Sequence, residues 1–297
     1  MRVWIAVASA VVLSEAAAAQ GPPGTDIHLV PITLAGRALT IGPPRRLTNR
    51  PGYDNQPSFT PDGKALLYTV VREGGPGGTT QADIFRLELA TGRSAPVVST
   101  PESEYSATPM PGGREFAVIR VERDSTQRLW AFPLAGGTPR LLLPDLAPVG
   151  YQAWLDANTV GLYVLGSPAT LQVADLGAGG ARILLSRIGR AVQRIPGRRA
   201  LSVTQQVSDS TWWIVEVDPT TAAAKPIVAM PPGAEYYVWL PDGSLLSAEG
   251  SSLYRFRPGS DAAWVEAARL PGLSGLSRLA VSPRGDAIAI VAAEGGR

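Results

Sequence analysis

The 297-residue sequence has no cysteine, one histidine and only two lysines beside 25 arginines. Without cysteine there is no thiol nucleophile, no thiolate zinc site, no redox pair and no disulfide staple. A single histidine makes any Ser-His-Asp triad depend on His28, and no Gly-x-Ser-x-Gly elbow accompanies it. It also leaves no histidine set for a transition metal. Charge is scarce as well: 18% of residues are charged and the net charge is +2, which gives no electrostatic case for nucleic acid. The glycine-rich stretch Gly74-Gly-Pro-Gly-Gly78 lacks the Gly-Lys-Ser/Thr and the following helix of a phosphate loop, and reads as a surface loop. No apolar run reaches 18 residues, so no membrane span is expected.

The longest apolar run is near the start. Met1-Arg2, the apolar stretch Val3–Leu13 and Ala17-Ala18-Ala19 before Gln20 have the anatomy of a secretory signal peptide over residues 1–19. As a helix that stretch would rise only about 16 Å, roughly half the hydrocarbon thickness. The expected mature product covers 20–297 as one domain, exported to the periplasm or the exterior.

Gly (32) and Pro (27) are abundant, and 45% of residues are apolar. Many turn formers between apolar runs point to short strands and tight turns. One pattern recurs: Phe59-Thr-Pro-Asp-Gly63, Pro109-Met-Pro-Gly-Gly113, Trp154-Leu-Asp-Ala-Asn158, Ile195-Pro-Gly197, Trp239-Leu-Pro-Asp-Gly243 and Val281-Ser-Pro-Arg-Gly285. The turn positions lie 50, 45, 39, 46 and 42 residues apart, and each is flanked by apolar runs. Glycine or asparagine there suits the positive φ of a hairpin turn. Two further strand-like segments follow each of the first five turns, as in Ala82–Leu89 with Ala95–Ser99. Four strands per period is one propeller blade. The sixth copy supplies only Ser277–Val281 and Ala287–Ala293, whereas residues 26–48 supply an outer pair. The expected fold is therefore all-β, a six-bladed β-propeller whose last blade is closed by residues 26–48 pairing with 277–293.

The copies Phe59-Thr-Pro-Asp-Gly63, Leu240-Pro-Asp-Gly243 and Ser282-Pro-Arg-Gly285, with strands of the Asp83-Ile-Phe type, resemble the TolB-like six-bladed propellers with their PDG-type, WD40-like repeats. The resemblance covers about residues 25–295 and rests on turn and packing residues, so it speaks to architecture. It implies a periplasmic, protein-binding role, although the α/β domain that precedes the propeller in TolB has no counterpart here.

Candidate site residues lie seven to nine positions before each turn, where the chain enters the innermost strand: Asp54, Asn55, Gln56, Glu104, Tyr105, Ser106, Tyr151, Arg190, Glu235, Tyr236, Ser277 and Arg278. Carboxylates, arginines and tyrosines at a channel mouth would suit a protein or peptide carrying both charges, bound by a monomer that performs no chemistry. No catalytic residue and no cofactor is assigned on this reading. The alternative is a carbohydrate- or lactone-active hydrolase or lyase, with Asp54, Asn55, Glu104 and Glu235 holding a divalent ion such as Ca²⁺ through oxygen. A small-molecule sensor with a closed pocket above Tyr151 and Tyr236 is a third possibility. Elsewhere, Phe59, Trp154 and Trp239 share one phase and are expected to pack between blades. His28 is expected on an outer strand, in a structural role. One of Trp212 and Trp213 is expected to be exposed, because neighbouring strand residues face opposite sides. Six arginines and no acid between Asp175 and Asp209 read as a solvated face or a docking face for an acidic partner.

Overall fold

The computed structural model describes residues 22–72 and 80–295; residues 1–19, read from the sequence as a signal peptide, and the stretch Gly74–Gly78 lie outside them. In chain order the strands begin with β1 (Thr25–Ala35), β2 (Ala38–Ile41) and β3 (Arg45–Arg46). Blade one is β4 (Asp54–Phe59), β5 (Ala65–Arg72), β6 (Gln81–Glu88) and β7 (Ser94–Val98). Blade two is β8 (Ser103–Pro109), β9 (Glu115–Val121), β10 (Gln127–Pro133) and β11 (Arg140–Leu141). Blade three is β12 (Val149–Trp154), β13 (Thr159–Val164), β14 (Thr170–Asp175) and β15 (Ala181–Ser186). Blade four is β16 (Ile188–Arg194), β17 (Leu201–Gln206), β18 (Trp212–Val217) and β19 (Ala224–Ala229). Blade five is β20 (Tyr237–Trp239), β21 (Leu245–Glu249), β22 (Ser252–Phe256) and β23 (Val265–Arg269). The last two strands are β24 (Leu279–Val281) and β25 (Ala287–Ala293).

Blades one to five are antiparallel meanders. The sixth is composite: β24 and β25 come from one end of the chain, β1 and its partners from the other. Thr25 to Pro31 of β1 pair in unbroken register with Ala293 to Ala287 of β25. This is the expected closure. Its outer strand differs from expectation, because it is split: β2 pairs with the far half of β1 (Ile32↔Ile41), and β3 pairs with the near half (His28↔Arg46). Gly42-Pro43-Pro44 separates the two pieces, and prolines have no N–H to continue a ladder. Thr25 then fastens blade six to blade one. Its N–H donates to Gly52 O at 3.0 Å and its Oγ1 to Asp54 O at 3.0 Å.

The hairpin turns follow the local chemistry. Gly63, Gly113, Gly243 and Gly285 have φ between 68° and 78°, and each donates its N–H to the residue three before it. Side chains would be strained there. In blade four Gly197 shares the positive φ (69°), but it is Arg198 that donates its N–H to Ile195 O; blade three departs further. Asn158 does not adopt positive φ; instead Asp156 Oδ1 accepts from the N–H groups of Asn158 (3.0 Å) and Thr159 (2.8 Å).

Apolar faces pack between neighbouring blades. Ile27, Phe59, Leu66, Ala289 and Val291 cluster between blades six and one; Met110, Ile119, Trp154 and Leu162 cluster between two and three. Each fully buried large side chain contributes about 1.5–3 kcal/mol. Phe59, Trp154 and Trp239 all lie in such clusters, as their shared phase predicts. Trp239 Nε1 and the Tyr237 hydroxyl both donate to Ser202 Oγ at 2.8 Å, which ties blade five to blade four. His28 is buried on β1, one strand removed from the inner pair, with Nδ1 unpartnered among the described residues. Burial lowers its pKa.

Candidate functional site: an arginine–tyrosine channel mouth

The six innermost strands, β4, β8, β12, β16, β20 and β24, surround the axis. Four of them carry an irregularity near their start: between Asn55 and Ser58, Tyr105 and Thr108, Val149 and Tyr151, and Ile188 and Val192. Bulges of this kind re-aim side chains. At the first two, Gln56 (φ 56°) and Ser106 (φ 54°) are left-handed although neither is glycine. A polar network holds them: Gln56 Oε1 accepts from Thr69 Oγ1 (2.6 Å) and from the Ser106 N–H (2.8 Å).

A central cavity of about 130 Å³ is lined from all six blades, by Gln56, Ser106, Gln152, Arg190, Tyr236 and Arg278 among others. Arg278 dominates it. Its guanidinium carbon lies 4.2 Å from the Tyr236 ring centre and 4.9 Å from that of Tyr151, and Nη2 donates to the Tyr151 hydroxyl at 2.7 Å. Burial opposes its charge, but the oxygens of Tyr151, Tyr236 and Tyr53 outweigh that and raise its pKa. The groups acting on it are tyrosines; no carboxylate among the described residues pairs with it. Arg190, which is exposed, also faces Tyr151 and Tyr236, with Glu235 more distant in effect. Burial pushes the Tyr53 phenol up to about 12 and raises that of Tyr236, so both face the arginines as neutral hydroxyls.

Six of the twelve residues chosen from sequence therefore converge on this cavity: Gln56, Ser106, Tyr151, Arg190, Tyr236 and Arg278. Two lie in adjoining depressions. Tyr105 lines one of about 410 Å³ together with Tyr53 and Arg190. Glu235 lines one of about 250 Å³ with Arg190, Trp212 and Met230.

The remaining four, Asp54, Asn55, Glu104 and Ser277, do not line these cavities, and the side chains of Asp54 and Glu104 are wholly buried. Asp54 Oδ1 accepts from Arg50 Nε at 2.7 Å; burial drives its carboxyl up to about 6 despite that arginine. Glu104 Oε1 accepts from Thr100 Oγ1 at 2.5 Å and from Arg120 Nε at 3.0 Å. Burial lifts its carboxyl to about 7. Arg120 is in turn stacked over Trp130 at 4.5 Å and Phe132 at 5.2 Å. With Asp54 and Glu104 withdrawn into the sheets, the mouth is mainly cationic and phenolic, and Glu235 is the one expected carboxylate that stays beside Arg190.

Trp212 and Trp213 are both half-buried, contrary to expectation: Trp212 lines the depression beside Arg190, and Trp213 an outer cavity with Tyr254 and Trp264. The arginine-rich stretch is largely engaged, with Arg198 on Glu216, Arg199 on Asp156, and Arg182 on the carbonyls of Pro219 and Thr220. Tyr53 and Gln152 were not singled out from the sequence. Tyr53 follows the same signal as Tyr105, Tyr151 and Tyr236, a tyrosine at the start of an inner strand.

No family model matches the chain. A stretch of 32 residues, 11% of the chain, is 53% identical to the Tol-Pal system protein TolB of Bordetella pertussis and spans 7% of that protein's length. Among solved structures, one assigned as TolB from Agrobacterium tumefaciens superposes with a TM-score of 0.69 at 18% identity. That match covers 92% of this chain and 99% of the other. The chain is a TolB-like six-bladed β-propeller in its fold. The TolB-like architecture is shared with proteins of other activity. An oligogalacturonate lyase in complex with manganese matches with a TM-score of 0.56 at 15% identity, covering 84% of this chain and 79% of the lyase.

The residues present do not form a site for a divalent ion of the kind weighed from the sequence. Asp54 and Glu104 are buried against separate arginines, and Glu235 lies beside Arg190. No group of three or more His, Asp or Glu side chains among the described residues is placed to hold a metal. Likewise, no helix among the described residues is long and apolar enough to cross a membrane.

Proposed function

We propose that this chain is a non-catalytic propeller that binds a protein or peptide partner through its rim and channel mouth, in the cell envelope. The observation that carries the reading is Arg278: a half-buried guanidinium framed by tyrosines, with no carboxylate among the described residues to answer its charge. Arginine beside tyrosine is the composition of an interface centre, where planar bidentate bonds to a carboxylate gain strength from desolvation. The partner's contribution is accordingly an acidic group. Envelope location is supported by the signal-like residues 1–19 and by the likeness to TolB, a Tol-Pal system protein.

A photo-crosslinking residue tests this when placed at Glu235 on the mouth or at Arg114 on the opposite face. In an envelope fraction the Glu235 position should give discrete protein adducts that disappear with Arg278→Met, and Arg114 should give none of them. Identical adducts from both faces, unaffected by Arg278→Met, would count against the mouth.

A further inference from the structure

The central cavity carries information about the form of the ligand as well as its location. Two polar atoms there lack partners among the described residues, Ser106 Oγ and Gln152 Oε1, on residues only 9% and 7% exposed. The orientation of Gln152 is fixed, because Nε2 donates to Ser106 O at 2.9 Å and to Ala117 O at 3.2 Å. Its oxygen is therefore a committed acceptor. Ser106 is held in its left-handed conformation by Gln56 and Thr69. Non-glycine strain of this kind gathers at functional sites. Buried polar atoms left unsatisfied are costly, and a ligand that pairs with them recovers that cost. The same cavity presents the guanidiniums of Arg190 and Arg278. At about 130 Å³ it has room for several water-sized groups but not for a polypeptide passing through.

We propose that the mouth captures the free C-terminal end of a polypeptide, an inference that rests on the peptide-binding reading above. The terminal carboxylate lies on Arg278 and Arg190, and the N–H of the last residue, two bonds from that carboxylate, donates to Gln152 Oε1. The Ser106 hydroxyl completes the set as donor or acceptor. An internal Asp or Glu fits less well, since it brings two chain arms to a cavity that admits one and holds its carboxylate farther from its own N–H. Charge-assisted bonds to arginine supply affinity, and the committed acceptor supplies the distinction. The depression beside Arg190, lined by Ile188, Trp212 and Met230, leaves an apolar place for a side chain near the captured end.

The test uses a mixed-sequence hexapeptide library synthesised twice, with a C-terminal carboxylate and with a carboxamide, and incubated with the whole protein. Carboxylate-ended peptides should be recovered with about tenfold or greater preference, as expected for charge-assisted bonds. The preference should collapse in Arg190→Ala and in Ser106→Ala. The first residue is exposed and the second has an unpartnered hydroxyl, so both variants should melt as the parent does. Equal recovery of both libraries overturns the inference while the peptide-binding reading stands. A preference that persists in both variants overturns its placement at this cavity. Recovery of neither library, together with no adduct from Glu235, overturns the reading itself.

Discussion

Arg278 in blade six donates a 2.7 Å hydrogen bond to the hydroxyl of Tyr151 in blade three, the blade directly across the ring. Every other contact between blades described above joins neighbours; this one spans the axis. It sets a cation across the axis, against the cavity that both residues line. Tyr151→Phe should cost about 1.5–3 kcal/mol in urea denaturation, the net value of one hydrogen bond to a charged group, with the fold retained.

Ring closure depends on β1. Ile27 is 1% exposed in the cluster between blades six and one, whereas Ile183 on the outer strand β15 is 59% exposed. Ile27→Ala should therefore lower stability by about 2–5 kcal/mol, against roughly 0.5 or less for Ile183→Ala. Equal losses in denaturant melts would mean that the terminal strands do not seal the ring.

Ser202 Oγ is the shared acceptor of the Tyr237 hydroxyl and Trp239 Nε1. Ser202→Ala leaves the wholly buried Tyr237 hydroxyl without that bond and should cost about 1–3 kcal/mol. Tyr237→Phe in the Ser202→Ala background should recover part of the loss, which a double-mutant cycle would measure.

Asp54 and Glu104 set a pH dependence of definite sign. Their folded carboxyls titrate at about 6 and about 7, above the ordinary values of 3.8 and 4.5. The folded state then binds more protons than the unfolded chain between those limits, so their contribution to stability is full below about pH 4 and is lost as pH rises through 6 to 7. Melting temperature should fall between pH 5 and pH 8. That slope should flatten in Glu104→Gln, whose amide oxygen still accepts from Arg120.

The donor set also predicts a response to metal. Dialysis against a chelator, or addition of millimolar Ca²⁺, should leave the melting temperature unchanged. A calcium-dependent rise would show that Asp54, Glu104 or Glu235 leave their arginines to hold the ion.

The blades were legible in the sequence because their signals are local: a turn glycine, or in blade three Asn158, between apolar runs, repeated six times. The seam was legible because β24 and β25 lack two partners that residues 26–48 provide. The split between β2 and β3 is also a local signal, Pro43-Pro44, passed over in assigning one outer strand. The site was half legible. Counting back from each turn position finds Gln56, Ser106, Tyr151, Arg190, Tyr236 and Arg278. It equally finds Asp54 and Glu104, because position alone does not reveal which side chains turn into the sheet. Their partners carried the missing signal: Arg50 lies four residues before Asp54, and Arg120 faces Glu104 in the β8–β9 register. Gln152 escaped notice because its role depends on carbonyls of blade two, 35 and 46 residues away.

The most direct test is an affinity titration of a partner captured at Glu235 against charge-removing variants on the two faces. Arg190→Ala with Arg278→Met should weaken binding by about 100-fold or more, as loss of two charge-assisted contacts implies, whereas Lys64→Ala with Arg114→Ala on the turn face should change it by less than about threefold. Equal affinity for both double variants would contradict the assignment of the arginine–tyrosine mouth as the binding site.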